Sequence, residues 1–174
     1  GQDNDTVFGN RGSDTVHGGM GDDLVYGNQD NDTVFGGEGN DQGFGGQGND
    51  RVSGDAGQDT LLGGLGDDTL DGGEGSDVIV FSGNGVYLGT DIAQDTGGVN
   101  DYDIAQFEGS RTDYTISKNA DGHLVVASNL GRGAMVLQNY EVEHIIFVDD
   151  ASRVAGGGNF SKTVAVAKDQ NQMT

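Results

Sequence analysis

Nine aspartates recur at an interval of nine residues: Asp5, Asp14, Asp23, Asp32, Asp41, Asp50, Asp59, Asp68 and Asp77. A glycine stands five places before all but the first, at Gly9, Gly18, Gly27, Gly36, Gly45, Gly54, Gly63 and Gly72. A second stands two places before most of them, at Gly12, Gly21, Gly39, Gly48, Gly57, Gly66 and Gly75. Two places after each aspartate comes an aliphatic residue (Val7, Val16, Val25, Val34, Val52, Leu61, Leu70 or Ile79), with Gly43 the exception. Carboxylates in columns, set among glycines whose carbonyls no side chain screens, form an oxygen-rich donor set that suits a hard cation.

The same unit dictates the elements that must position these donors. Counted from its first glycine, the unit has glycine at positions one, two and four in most copies, which permits the positive φ of a sharp turn. Its last three residues, as in Thr15-Val16-His17, alternate out, in, out like a short strand. A six-residue turn plus a three-residue strand is half a coil, so two units close one coil of a parallel β-helix. One edge then carries Asp5, Asp23, Asp41, Asp59 and Asp77, and the other Asp14, Asp32, Asp50 and Asp68. Stacked coils lie about 4.8 Å apart. Like charges at that distance repel by ~1 kcal/mol in bulk water and roughly 3–4 kcal/mol at an effective dielectric of about 20. Each unit buries a single aliphatic side chain, worth about 1.5–3 kcal/mol, and ordering the unit costs more than that. The unit is therefore not expected to fold unaided. Ca2+ takes about six to eight oxygens. The nine aspartates, with backbone carbonyls of Gly9, Gly18, Gly27, Gly36, Gly45, Gly54, Gly63, Gly12, Gly21, Gly39, Gly48, Gly57 and Gly66, are the candidate metal ligands. One ion per gap between stacked turns predicts about seven Ca2+. Mg2+ resists dehydration and fits an all-protein cage poorly. A disordered Gly/Asp-rich linker and a metal-free β-helix are the competing readings; the unbroken period argues against the linker.

Some positions depart from the unit. Asp3 and Asp30 occupy position four, and Asn10, Asn28 and Asp55 occupy position two. Asn and Asp tolerate the left-handed region, so these turns are expected to survive. Gly43, at an inward position, leaves two outcomes: a void in the core, or Phe44 turned inward with a local distortion.

Charge points the same way. The chain of 174 residues has a net charge of −21. Residues 1–80 hold 17 acidic residues against Arg11 and Arg51, a net −15 that seven Ca2+ (+14) would almost cancel. Such a surface repels phosphate backbones, which excludes nucleic acid as a partner, and the free protein should avoid anionic membranes. There is no Cys for a disulfide, a thiolate zinc site or a thiol nucleophile. No apolar run is long enough to span a membrane, and no basic-then-apolar leader opens the chain. It begins inside a repeat with the first glycine lost, which reads as a fragment of a longer protein.

The expected class is all-β, with three parts: a calcium-binding β-roll over 1–81, a small β-rich cap over 82–150 and a flexible tail over 151–174. Residues 82–100 read as a loop or irregular edge that caps the open strands. Residues 101–150 read as antiparallel strands with an apolar core of their own: Ile104–Phe107, Asp113–Ser117, His123–Ala127, Met135–Leu137 and His144–Phe147. A hairpin turn falls at Asn119-Ala120-Asp121-Gly122. Asp101, Asp103 and Asp149 are candidates for a peripheral Ca2+ site, with solvated loop carboxylates the preferred reading. Thr163–Ala167 is a candidate last strand in the tail.

The nonapeptide G-G-x-G-x-D-x-U-x resembles the repeat of RTX (repeat-in-toxin) proteins, and the resemblance covers residues 1–80. Phe107–Ile116, Asp121-Gly122 and Glu143–Asp149 are also similar to segments that follow such repeats. The resemblance implies a parallel β-roll with Ca2+ in both stacks of turns. It also implies type I secretion from a Gram-negative cell, with the chain unfolded in low cytosolic calcium and folding outside. The expected partners are calcium ions, the type I secretion apparatus during export and an upstream domain of the same parent chain. The family's secretion signal lies at the extreme C-terminus; Asp169–Thr174 shows no such pattern, so the chain either stops short of it or carries an atypical one.

No catalytic constellation emerges. His17, His123 and His144 are scattered outside any zinc spacing, there is no G-x-S-x-G elbow, and the Gly-x-Gly strings lack the Lys-Ser/Thr of a phosphate loop. The chain is expected to be no enzyme. Two other hypotheses stand beside a calcium-binding module. An adhesive or carbohydrate-binding surface would use the outward apolar ladder Phe8, Tyr26, Phe44, Leu62 and Val80. An accessory domain would serve a secreted protease or lipase. The ladder's other possible occupants are the C-terminal segment and the upstream domain. A second outward row, Thr15, Thr33, Arg51 and Thr69, reads as ordinary strand surface.

Overall fold

The computed structural model describes residues 1–81, 90–94, 103–108, 111–131, 133–138, 142–148 and 162–165. Nine strands come from the repeats: β1 (Thr6–Arg11), β2 (Thr15–Met20), β3 (Leu24–Gln29), β4 (Thr33–Glu38), β5 (Gln42–Gln47), β6 (Arg51–Ala56), β7 (Thr60–Leu65), β8 (Thr69–Glu74) and β9 (Val78–Phe81). Seven follow: β10 (Thr90–Gln94), β11 (Asp103–Glu108), β12 (Tyr114–Lys118), β13 (Leu124–Ser128), β14 (Ala134–Leu137), β15 (Val142–Val148) and β16 (Lys162–Ala165). Odd-numbered repeat strands form one sheet and even-numbered ones the other, each pairing in parallel with the strand one coil away. The offset is eighteen residues, as in Val7↔Val25 and Val16↔Val34. This is the parallel β-roll that two units per coil require. Among the described residues no helix is long and apolar enough to cross a membrane.

The strands are twice as long as the unit suggests. Each of β1 to β8 takes in positions one to three of the next unit, as in Thr15–Met20, so only positions four to six turn. Positive-φ glycines inside the strand, Gly19 and Gly37 among them, still pair across coils (Gly19↔Gly37). The non-glycine residues at φ near +75 to +88° in the repeats are Asn10, Asn28, Asp30 and Asp55, four of the five substitutions expected to tolerate it.

Inside, the aliphatic column Val16, Val25, Val34, Val52, Leu61, Leu70 and Ile79 is buried. Gly43 corrects both expectations for its position. It pairs in register with Val25 and Leu61, and Phe44 stays outward, stacked on Tyr26. There is no room for a methyl group either: a Cβ on Gly43 would lie 2.9 Å from Cγ1 of Val52 and 3.1 Å from Cδ2 of Leu61. The larger neighbour Leu61 has closed in. Gly43→Val is therefore expected to overpack the roll and lower stability by about 1–3 kcal/mol in saturating calcium; a rise in the denaturation midpoint would contradict this.

Beyond Phe81 the structure departs from the expected cap. Residues 90–94, read as loop, form β10, which pairs in parallel with β8. Strand β11 pairs in parallel with both β9 and β15 rather than antiparallel. Antiparallel pairing is confined to β12–β13–β14 and β15–β16. The hairpin turn is as expected: Gly122 has φ +89° and donates to the Asn119 carbonyl at 3.1 Å. The core expected to be separate is continuous with that of the roll, because Leu70 faces Ala93 and Ile79 faces Ala105 across parallel ladders. Phe81 follows the repeated first-position glycines and starts an aromatic cluster with Phe107, Tyr114 and Phe147, with ring centroids 5.2–5.5 Å apart. Asp101, Asp149, the remaining parts of 82–100 and 151–174, and the side chain of Asp103 lie outside the described residues.

Candidate metal centre

Stacking brings the aspartates together in two columns. On one edge the amides of Asp5, Asp23, Asp41 and Asp59 donate to Oδ1 of Asp23, Asp41, Asp59 and Asp77 at 2.7–2.8 Å. On the other, the amides of Asp14, Asp32 and Asp50 donate to Oδ1 of Asp32, Asp50 and Asp68 at 2.8 Å. From Asp23 on, each carboxylate of the columns thus spends one oxygen on the backbone of the preceding coil. The second oxygen is left over: Oδ2 of Asp14, Asp23, Asp32, Asp41, Asp50, Asp59 and Asp68 is buried with no hydrogen-bond partner. Asp23 through Asp68 are between 1 % and 3 % exposed. A buried polar atom without a partner costs about 1–3 kcal/mol, more when charged.

The first-position glycines lie against these orphaned oxygens. A Cβ on Gly27 would sit 2.6 Å from Oδ2 of Asp32 and 2.6 Å from the carbonyl oxygen of Gly45; one on Gly36 would sit 2.5 Å from Oδ2 of Asp41 and 2.6 Å from the carbonyl of Gly54. Gly9, Gly18, Gly45 and Gly54 are likewise close to the carbonyl of the glycine one coil on, and Gly63 lies against Oδ2 of Asp68. The fourth-position glycines stack on one another's backbones: Gly21, Gly39 and Gly48 each present a carbonyl to Gly39, Gly57 and Gly66 of the next coil. Gly12, in the first turns, has nothing within 4 Å of its Cβ position.

A second ladder, unread in the sequence, runs beside the aspartates at position five. The amides of Asp22, Asn40 and Gln58 donate to the Oδ1 atoms of Asn4, Asp22 and Asn40, and those of Asn49 and Asp67 to Asn31 and Asn49, at 2.8–3.1 Å. Its signal was the short amide or carboxylate that fills this place in most units.

Burial sets the electrostatics. Desolvation raises the carboxyls of Asp32 and Asp41 above their ordinary value, Asp50 and Asp91 to about 6, and Asp59 and Asp68 to about 7. Neighbouring carboxylates push the same way, while the donated amides oppose. Without a counter-ion, Asp59 and Asp68 hold their protons up to about neutral pH.

Family matching agrees with this geometry. The family model for the RTX calcium-binding nonapeptide repeat matches four times, over residues 1–34, 8–43, 17–52 and 44–79. Residues 1–79 are RTX calcium-binding nonapeptide repeats. No curated protein matches the chain. Among solved structures it aligns with the solution structure of the AlgE6R3 subunit of the Azotobacter vinelandii mannuronan C5-epimerase. That alignment has 23 % identity over 94 % of each chain and a TM-score of 0.39.

The donor set fits the RTX ion. Orphaned oxygens, bare glycine carbonyls and the absence of nitrogen or sulfur ligands suit Ca2+. Among the described residues no three His, Cys, Asp or Glu side chains converge, so backbone carbonyls must supply much of the shell. The two-oxygen division of labour makes Asp50→Asn informative. It keeps an Oδ1 acceptor for the Asp32 amide but removes the buried charge. In chelator the variant should show more residual β signal than the parent, and in calcium it should need more of the ion to fold. Asp50→Ala should lose in both conditions, by about 1–3 kcal/mol for the stranded amide. Circular dichroism of both variants, with and without calcium, checks the reversal of sign.

Proposed function

We propose that this chain is a non-catalytic calcium-binding module of a secreted Gram-negative protein, unfolded in low calcium and folding outside the cell on Ca2+ to stabilise the protein that carries it. The observation that supports this most strongly is the row of buried Oδ2 atoms without partners. Ions that bind the folded coils and not the unfolded chain stabilise the fold as their concentration rises. Asp5 through Asp77, with the first- and fourth-position glycine carbonyls, hold about seven ions, one per gap. Bound Ca2+ supplies the positive charge that two columns of carboxylates lack. The secretion apparatus and an upstream domain are the partners this role implies.

The apolar ladder gives an adhesive role little stacking surface beyond Phe8, which is 54 % exposed at its end. Phe8 and Tyr26 stack at 5.1 Å with planes 6° apart, and Tyr26 and Phe44 at 4.8 Å and 14°. Their faces cover one another, so a sugar meets ring edges. The test is a calcium titration followed by circular dichroism, with bound ions counted by calorimetry. The β signal should rise steeply with calcium and saturate near seven ions on the repeats. A full β spectrum in excess chelator would remove the mechanism.

A further inference from the structure

The segment Asp-Ile-Ala-Gln occurs twice after the repeats end, at Asp91–Gln94 and at Asp103–Gln106. Neither copy is matched by the repeat family, whose last match stops at residue 79, and Asp91 follows Asp77 by fourteen residues rather than nine. In space the period resumes. The amide of Ile92 donates to the carbonyl of Asp68 at 2.8 Å and that of Ile104 to the carbonyl of Asp77 at 2.8 Å. This is the bond that Thr33 makes to Asp14 and Thr69 to Asp50 inside the repeats. Ile92↔Thr69 and Ile104↔Val78 therefore place Asp91 and Asp103 at the sixth position of one further half-coil on each edge.

For Asp91 the side chain follows suit. The amide of Asp68 donates to Oδ1 of Asp91 at 3.1 Å, which continues the aspartate ladder. The amide of Thr90 donates to Oδ1 of Asp67 at 2.7 Å, which continues the position-five ladder. Asp91 is 8 % exposed, and Asp68 is 1 % exposed with its Oδ2 lacking a partner. We infer that Asp68 and Asp91 bound a further Ca2+ site outside the nonapeptides, with the half-coil at Thr90–Gln94 serving as a repeat in geometry though not in sequence.

The site welds the segment after the repeats to the roll. Strand β10 pairs with β8 on one side and with β14 on the other, so an ion here ties the order of β10 and β14 to calcium. The inference rests on the calcium reading of the repeats, and the experiment separates the two.

Asp91→Asn is the informative variant, since its Oδ1 still accepts from Asp68 while the charge is gone. Native mass spectrometry in saturating Ca2+ should show the parent chain with one ion more than the variant. Calorimetry should show the loss of one site with the others unchanged, and circular dichroism should show the β-roll intact. Equal ion counts in parent and variant would overturn the Asp91 site alone. A parent that binds no Ca2+ would instead overturn the calcium reading. If Asp91→Asn fails to fold, Asp91→Ser serves as a smaller uncharged replacement: one ion fewer than the parent supports the site, and the parent's ion count overturns it.

Discussion

In excess chelator, lowering the pH from about 8 to about 5 should increase the β content of this protein. Most acidic proteins lose structure on acidification because paired carboxylates must be protonated. Here Oδ2 of Asp50, Asp59 and Asp68 is buried without a hydrogen-bond partner, so charge on these carboxylates opposes folding. Burial holds Asp59 and Asp68 near 7 and Asp50 and Asp91 near 6, against 3.8 for the exposed side chain. The folded state therefore binds protons more tightly than the unfolded one. The stabilisation is complete below about 3.8 and is lost as pH rises through about 6 to 7. Calcium inverts the sign. The ion needs the deprotonated carboxylate, so acid competes with it, and the calcium midpoint should rise as pH falls below about 7. Circular dichroism at several pH values, in chelator and in calcium, reads both trends. Metal-free β signal that declined between about pH 8 and about pH 5 would show that burial of these carboxylates does not govern the apo state.

The second large effect comes from a backbone position. Gly57→Ala should cost on the order of 3–5 kcal/mol in saturating calcium and move the calcium midpoint upward. Gly57 has φ +148°, where a side chain is strained, and its Cβ would run into the carbonyl oxygen of Gly39 in the preceding coil. Nothing flexible can yield, because the Gly57 amide is itself bonded to the Glu74 carbonyl at 2.7 Å. Gly12 is the control. It has φ +103° with open space around its Cβ position, so Gly12→Ala should incur the conformational term alone, about 1–2 kcal/mol. Equal losses for the two variants, measured by denaturation in calcium, would show that contact between coils is not what makes glycine necessary.

The nine-residue period was enough to derive the coil, the two aspartate edges, the inward aliphatic column and the outward ladder, because each is a consequence of local alternation repeated without error. Asn10, Asn28, Asp30 and Asp55 could be read as positive-φ positions for the same reason, although Asn10, Asn28 and Asp55 lie within strands rather than turns. What the unit could not reveal was how one coil meets the next. The division of each carboxylate into a bonded Oδ1 and an orphaned Oδ2, the position-five ladder and the closing of Leu61 around Gly43 all depend on atoms eighteen residues apart.

The end of the roll was the least legible part. Five extra residues between Asp77 and Asp91 break the interval, so the sequence reads as a loop followed by a separate cap. Parallel pairing ignores that interval, since an insertion can bulge from a turn while the strand beyond it returns to register. Sequence by itself determined that this protein has two charged edges needing a cation; only the stacked structure decided which oxygens are left for it and how far the columns run, because both are set by contacts between coils.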